Sequence, residues 1–481
     1  MLNPAQYKDS LKKLKTRVYL EGKLVPNVAD EPAFRPGINA IALSYEYAAN
    51  REHQSIMTGP GHNGNAVHRF LTICRTSDDL LKKLQAIRMI CRIAGCGQRY
   101  LAQDALNALM MTTHDVDVEL GTDYTRRFTN YLDYVQTNDL APCVAMTDAK
   151  GDRSKRPSEQ SDPDMYLRIV EKNDRGILVN GAKAIVTAAP YAHEVIVLPT
   201  RSMTQNDGQY AASFAVPADA EGLKMIARPA GRPFAKDAAH SSEYGQSTAM
   251  LIFEKVFVPW ERVFLAGEWA HAGKLARGFA TFHRLSCIGC RAGLGDILIG
   301  AAASAAEHNG LNLETTTHIR DRIADLIGIV ESFYSAGVSA SVLGTATESG
   351  VFSPNPVYAN LGKLELGTKI YDMYKLVHEI AGGLVVTQPS TADEENPETS
   401  PYIQKYLAAN SSATQRSKML RLIEDLTGSS QSAWFSVISM QGGGPPQAEK
   451  IEIVRKYDLT EKKQLAEKLA GGHTDENVEA S

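Results

Sequence analysis

Thr281-Phe-His-Arg-Leu-Ser-Cys-Ile-Gly-Cys290 runs on into Arg291-Ala-Gly-Leu-Gly-Asp296. His283, Cys287 and Cys290 stand at i, i+4 and i+7, which on a helix is a single face. The residues that follow, Ile297 to Ala306, are mostly Ile, Leu and Ala, so the setting is read as helical. Two readings fit such a face. It is a small-residue surface for close packing, with the cysteines acting as small hydrophobes, or three soft or borderline ligands gathered for a metal or cluster.

Working outward, the texture of the chain changes twice. From Ile38 to about Tyr134 apolar residues recur at three and four, clearest in Asp78-Asp-Leu-Leu-Lys-Lys-Leu-Gln-Ala-Ile-Arg-Met-Ile, with Thr76 and Ser77 as N-cap candidates. Ahead of it lie a short helix (Tyr7 to Lys15) and an alternating, hairpin-like Arg17-Val-Tyr-Leu-Glu-Gly-Lys-Leu. Between roughly 140 and 265 short β-rich runs such as Glu194-Val-Ile-Val-Leu and Ala211-Ala-Ser-Phe-Ala-Val are separated by Gly, Asp, Asn and Pro. Helical patterning then resumes, and an amphipathic helix (Lys450 to Leu469) closes the fold. The expectation is a helical N-terminal domain at 1–138, a β middle domain at 139–270, a helical C-terminal domain at 271–470 and a polar, disordered tail at 471–481.

Composition bounds the function. The 481 residues carry 43% apolar and 22% charged side chains and a net charge of −4, ordinary for globular domains. Without a long basic run, nucleic acid is not expected as the main partner. No uninterrupted apolar stretch reaches the roughly 18 to 20 residues of a membrane span, and the N-terminus lacks the apolar core of a signal peptide. Six cysteines in a chain of this size do not read as a secreted disulfide framework. A reduced, cytoplasmic protein is expected.

Neither a Walker loop nor a GxGxxG after a strand is present, and HExxH and GxSxG are also missing. A nucleotide cofactor in such a chain suggests a flavin held between domains and across subunits. Met146, Thr147 and Asp148 lead into Lys150 and Arg153, a strand end with hydroxyl, backbone and cationic groups for phosphate. Thr187 and Ala188 sit among small residues that let a flat ring approach. Glu379-Ile-Ala-Gly382-Gly383 ends a helix in paired glycines, a C-cap or a close seat for pyrophosphate. Each also reads as ordinary polar turn, buried threonine or helix end. Cys96, between Gly95 and Gly97, is placed on a helix with Tyr100 one turn on. Cys91 then lies about 140° round that helix, too far to share an ion. Cys74 and Cys143 are read as structural.

Several stretches together carry a resemblance: His283-Arg-Leu-Ser-Cys-Ile-Gly-Cys-Arg-Ala-Gly-Leu-Gly-Asp, Phe257-Val-Pro-Trp-Glu-Arg-Val-Phe, Gly181-Ala-Lys-Ala, Glu379-Ile-Ala-Gly-Gly and Gly444-Pro-Pro-Gln-Ala-Glu-Lys-Ile. The chain resembles the superfamily of 4-hydroxybutyryl-CoA dehydratase and the flavin-dependent 4-hydroxyphenylacetate 3-monooxygenases, and the His-plus-Cys stretch leans toward the dehydratase. The resemblance implies an α+β, acyl-CoA-dehydrogenase-like fold with a β-barrel or sandwich middle domain, a homotetramer, and FAD in a cleft completed by a neighbouring subunit. It further implies a [4Fe–4S] cluster, for which Cys96, His283 and Cys290 match three of four ligands, and a substrate-side threonine matched by Thr187.

The departures are specific. Tyr100 stands where the remaining cysteine ligand is expected, and Cys287 where the family has a tyrosine near the substrate. Ile438 and Ser439 occupy the neighbourhood of an acidic residue expected before Gly442-Gly-Gly. Either the cluster is lost or Cys287 supplies a fourth thiolate. The activity implied is removal of water from a 4-hydroxyacyl-CoA, with His283 or a neighbour taking the α-proton. The alternatives are a reduced-flavin phenol monooxygenase, with Arg99, Tyr100 and His283 binding a phenolate, and a divergent paralogue that has lost the cluster or binds no cofactor.

Overall fold

Ser77–Ala94 and Trp269–His308 lie against one another along the centre of the molecule, and the reason is glycine. A β-carbon on Gly293 would stand 2.7 Å from the carbonyl of Arg88 and the amide of Arg92; one on Gly289 would stand 2.9 Å from the carbonyl of Leu84. Close packing through small residues is thus present on this helix at Gly289 and Gly293, about 100° round from the face that carries His283, Cys287 and Cys290. Ser77–Ala94 starts where the sequence places it: Thr76 Oγ1 accepts from the Asp79 amide at 3.2 Å and the Asp79 carboxylate accepts from the Thr76 amide at 3.1 Å, a cap worth about 1 kcal/mol.

The computed structural model describes residues 1–471; the expected tail, apart from Gly471, lies outside the described residues. Helices Arg35–Ala49, Ser77–Ala94, Tyr100–Leu120 and Tyr124–Thr137 form the first layer. Trp269–His308, Thr317–Val342, Pro356–Ala381 and Ala413–Thr427 form the second. Pro354-Asn-Pro and Gln388-Pro-Ser break the helices as expected. The closing helix is two, Pro446–Lys456 and Thr460–Leu469, because Asp458 accepts from the Thr460 amide at 2.8 Å and restarts the chain.

The middle region is two open sheets, not a closed barrel. The six-stranded sheet runs Lys23–Leu24, Val18–Leu20, Leu223–Ala227, Thr248–Pro259, Gly176–Thr187, Arg168–Lys172. The four-stranded one runs Val263–Ala266, Ala212–Pro217, Glu194–Val197, Pro142–Ala145. The larger sheet stays open because its edges are built not to pair: one is a two-residue strand bearing Lys23, the other carries Arg168, Glu171 and Lys172. The N-terminal hairpin is present, but it joins this sheet, Val18–Leu20 pairing in parallel with Leu223–Ala227.

By length and composition two helices, Trp269–His308 and Thr317–Val342, could cross a bilayer, which the sequence did not suggest because charged residues interrupt them. One charge of each helix is bridged to a third. Arg88 bonds both Asp296 and Glu331, at 2.6 and 2.5 Å, joining three helices.

Candidate active site

Between the middle sheets and the second helical layer lies a cleft of about 740 Å³. Its sheet side presents Met146, Thr147, Lys150, Arg153 and Thr187, five of the residues singled out in the sequence. Its helical side presents Cys96, Tyr100, His283, Cys287 and Cys290, and the glycine run Gly442–Gly444 closes one end. Residues as far apart in the chain as Cys96 and Gly444 thus line one cleft. Ile185, a β-branched residue at φ +60° and 63% exposed, projects into the same space; such strain in this residue type collects at binding sites.

The inner wall holds a chain of contacts. Cys287 Sγ lies 3.7 Å from His283 Nε2, and His283 Nδ1 lies 3.0 Å from Asp104 Oδ2. Asp104 is fully buried, accepts from Ser286 Oγ at 2.7 Å and is paired with the buried Lys83. Phe279 stacks on the imidazole, centroids 5.4 Å apart. Gly443, at φ +77°, roofs the couple: a β-carbon there would sit 3.4 Å from His283 Cδ2 and 3.9 Å from Cys287 Sγ.

The electrostatics follow from these neighbours. Burial disfavours charge on His283, but Cys287 and Asp104 overcome it and push the imidazole up to about 10. Burial likewise raises the Cys287 thiol, yet the His283 charge, with Lys363 and Arg291, brings it below the ordinary thiol range. The other sulfurs go the opposite way. Cys96 is raised by its contact with Cys290 and by burial, and Cys290 is pushed up to about 12, first by Cys91 and then by burial.

The four positions named for a cluster do not form one donor set. His283 Nε2 faces Cys287 on its own helix, while Cys96 faces Tyr100 Oη at 3.5 Å. The guanidinium of Arg291 stands 3.3 Å from Cys290 Sγ. Among the described residues no group of three or more His, Cys, Asp or Glu side chains is arranged to hold a metal ion. A phenol in place of a thiolate, and a histidine held from both sides, do not fit four-point ligation of iron and sulfide.

The placement of Cys91 and Cys96 also differs from expectation. Gly95, at φ +66°, ends the helix, so Cys96 lies in a loop and not on the helix. The loop folds back until the Gly97 amide donates to Cys91 Sγ at 3.2 Å, and Cys91 and Cys96 both meet Cys290. Cys74 and Cys143 are fully or nearly fully buried, away from the cleft.

Other sequence candidates do not line the cleft. The Asp148 carboxylate is spent on Lys183, 2.8 Å away, and on Thr200. Ala188 is buried at φ +63° with its amide bonded to the Ser247 carbonyl. Glu379 pairs with Arg322 at 2.5 Å and borders a separate shallow cavity with Tyr371 and His378. Gly382 and Gly383 follow the end of that helix, and a β-carbon on either would meet nothing within 4 Å. Arg99 is buried against Asp139 and stacked on Tyr45, so Arg99, Tyr100 and His283 are not assembled as a phenolate site.

Four contributors escaped the sequence reading. Asp104, with Gln103 and Asn107, breaks the apolar face of Tyr100–Leu120, and that buried polar patch was the available signal. Arg201 and Arg277 enter the cleft mouth from distant segments with no local pattern to mark them, and Gln246 is equally unmarked.

This architecture, helical layers around two open sheets with a cleft at their junction, has close counterparts. The chain belongs to the 4-hydroxyphenylacetate 3-hydroxylase family, whose N-terminal model matches residues 3–265 and whose C-terminal model matches residues 272–471. Within it, the chain is 38% identical to the 4-hydroxybutyryl-CoA dehydratase/vinylacetyl-CoA-Δ-isomerase of Clostridium aminobutyricum, over 98% of this chain and 99% of that one. It is 27% identical to the 4-hydroxyphenylacetate 3-monooxygenase oxygenase component of Thermus thermophilus, over 88% of each. Among solved structures, an oxygen-tolerant archaeal 4-hydroxybutyryl-CoA dehydratase from N. maritimus superposes with TM-score 0.94 at 37% identity, covering 100% of this chain and 97% of that one. An HpaB oxygenase complexed with FAD and 4-hydroxyphenylacetate shares the fold, TM-score 0.87 at 22% identity over 98% of each. The dehydratase side of the resemblance is thus the nearer of the two.

Proposed function

We propose that this chain is an FAD enzyme that removes water from a 4-hydroxyacyl-CoA, acting as a homotetramer. The observation that carries the reading is end-to-end similarity to a dehydratase at 38% identity, together with a cleft suited to the reactants.

The fit to a flavin rests on donors and acceptors in the cleft. Gln246 donates to Thr187 Oγ1 at 2.9 Å, while its own carbonyl oxygen is buried without a partner, an acceptor for a ring N–H. Lys150 and Arg153 offer charge-assisted bonds to pyrophosphate, and burial together with Arg153 lowers the Lys150 ammonium. Thr147 and Met146 flank them. Glu379, Gly382 and Gly383 would act on a cofactor only from a second copy, which is why the reading includes an oligomer.

The flavin, when bound, supplies the redox chemistry that makes an unactivated β-hydrogen removable. The chain's own residues do the rest. Arg201, Arg277 and Arg455 line the more exposed part of the cleft, with Glu452 the lone carboxylate among the lining residues, a field for the phosphates of an acyl-CoA. Leu101, Val144, Leu366 and Ile438 keep the interior apolar and exclude water. His283 and Cys287 stand on the inner wall, where a thioester α-carbon would lie within reach for proton transfer. No step is assigned to an iron–sulfur cluster, because the donor set does not fit one.

The test is direct. Purified protein should carry FAD and convert 4-hydroxybutyryl-CoA to crotonyl-CoA, followed by chromatography of the thioesters. Lys150→Ala with Arg153→Ala should lower FAD retention about tenfold or more. FAD-loaded protein that leaves 4-hydroxyacyl-CoA substrates unchanged, yet hydroxylates a phenol when given reduced flavin and oxygen, would overturn the reading.

A further inference from the structure

We propose that Cys287 is the proton acceptor of this cleft, with His283 and Asp104 as the residues that position and polarise it. The inference rests on the acyl-CoA reading above and assigns a role there to a side chain that would otherwise be a small hydrophobe.

Geometry carries the assignment. Both ring nitrogens of His283 are engaged, Nδ1 with Asp104 and Nε2 with Cys287, so neither is free to take a proton from a substrate. Cys287 Sγ is the outer member of that series, and Cys287 alone among the six cysteines is not fully buried. Cys74, Cys91, Cys96, Cys143 and Cys290 are at most 5% exposed. The series reads Cys–His–Asp, with the base oriented by a third group, the arrangement that activates a thiol. Asp104 is itself fixed by Lys83 and Ser286.

The charges facing the sulfur agree with this role. His283 lies on its own helix; Lys363 comes from Pro356–Ala381, and Arg291 and Arg284 from further along Trp269–His308. Tyr100 approaches from the opposite helix as a neutral phenol, raised by burial and the nearby thiols. Glu449, paired with Lys363 at 3.0 Å, is the acidic group behind it. The balance is cationic, and it favours thiolate.

The step is a proton transfer without redox change. The α C–H bond of the thioester breaks, an S–H bond forms on Cys287, and the electron pair moves onto the thioester oxygen. The His283 proton stays between nitrogen and sulfur and is not consumed. Reversal returns a proton from Cys287 to carbon, and in D2O the returned hydron is deuterium.

The experiment uses FAD-loaded full-length protein and butyryl-CoA, which has an α-hydrogen and no leaving group. Wild type should exchange α-hydrogen for deuterium, read by mass spectrometry. Cys287→Ala and Cys287→Ser should each slow exchange about 100-fold or more while butyryl-CoA still perturbs the flavin spectrum. In parallel, iodoacetamide at pH 7 should label Cys287 first, and His283→Gln should slow that labelling about tenfold with circular dichroism unchanged. Exchange at the wild-type rate in both Cys287 variants overturns the proposal, as does labelling no faster than that of a free thiol. If butyryl-CoA fails to bind wild type, the acyl-CoA reading falls, and the labelling experiment still decides whether Cys287 is activated.

Discussion

Lys83 and Asp104 form an ion pair with both side chains fully out of water, between the two helices that back the cleft wall. Such a pair is poor evidence of stability, but breaking it on one side is expensive because the partner is left charged and buried. Asp104 also accepts from His283 and Ser286, so one carboxylate holds both the core and the site.

Asp104→Asn should therefore destabilise the protein by about 3–5 kcal/mol. The check is urea unfolding, with a lowered midpoint and an unchanged slope. The same variant should slow alkylation of Cys287, because the imidazole loses its anchor.

His283 supplies a pH dependence with a defined sign. Its folded value lies near 10, above the ordinary histidine value, through Cys287 and Asp104 acting against burial. Stability from its proton is then fully present below about pH 6.5 and is lost as pH rises through about 10. The stability difference between wild type and His283→Gln should shrink from pH 6.5 toward 10. A difference that stays constant over that range would show the imidazole to be neutral throughout.

Gly443 is the next position to change. At φ +77° an alanine is strained by about 1–2 kcal/mol, and its methyl would come into van der Waals contact with the His283 ring and the Cys287 sulfur, narrowing the space above them. Gly443→Ala should lower turnover by about tenfold or more while leaving FAD content intact. Equal loss of flavin and turnover would place Gly443 in cofactor binding instead.

Tyr100→Cys tests the donor set. Wild type reconstituted anaerobically with iron and sulfide should stay free of bound sulfide, since Cys96 faces a phenol. The variant adds a third thiol to Cys96 and Cys290, with His283 as the remaining family-matched position, and should take up more iron and labile sulfide than wild type. Stoichiometric iron and sulfide in wild type would refute the mismatch described above.

The helical layers and the one-face grouping of His283, Cys287 and Cys290 were legible because period and spacing carry them directly. The cleft's sheet side was legible as turn chemistry at Thr147, Lys150 and Arg153. Openness of the sheets was not: the charges at Lys23, Arg168, Glu171 and Lys172 are in the sequence, but which strands become the edges is set by long-range pairing. Asp104 was hidden for a related reason: its partner His283 lies 179 residues away, and nothing near Asp104 announces the contact. Asp148 misled in the opposite direction, a polar strand end whose charge is already used by Lys183.

Gly95 decides which sulfurs can meet. Its positive φ turns the chain so that two cysteines five residues apart meet a third on Trp269–His308, and its α-carbon is packed so closely that a methyl would strike Phe435 at 2.8 Å. Phe435 belongs to the Ser430–Gln441 helix, which ends at the glycine roof over His283. One helix thus abuts both the turn that carries Cys96 and the roof above the imidazole.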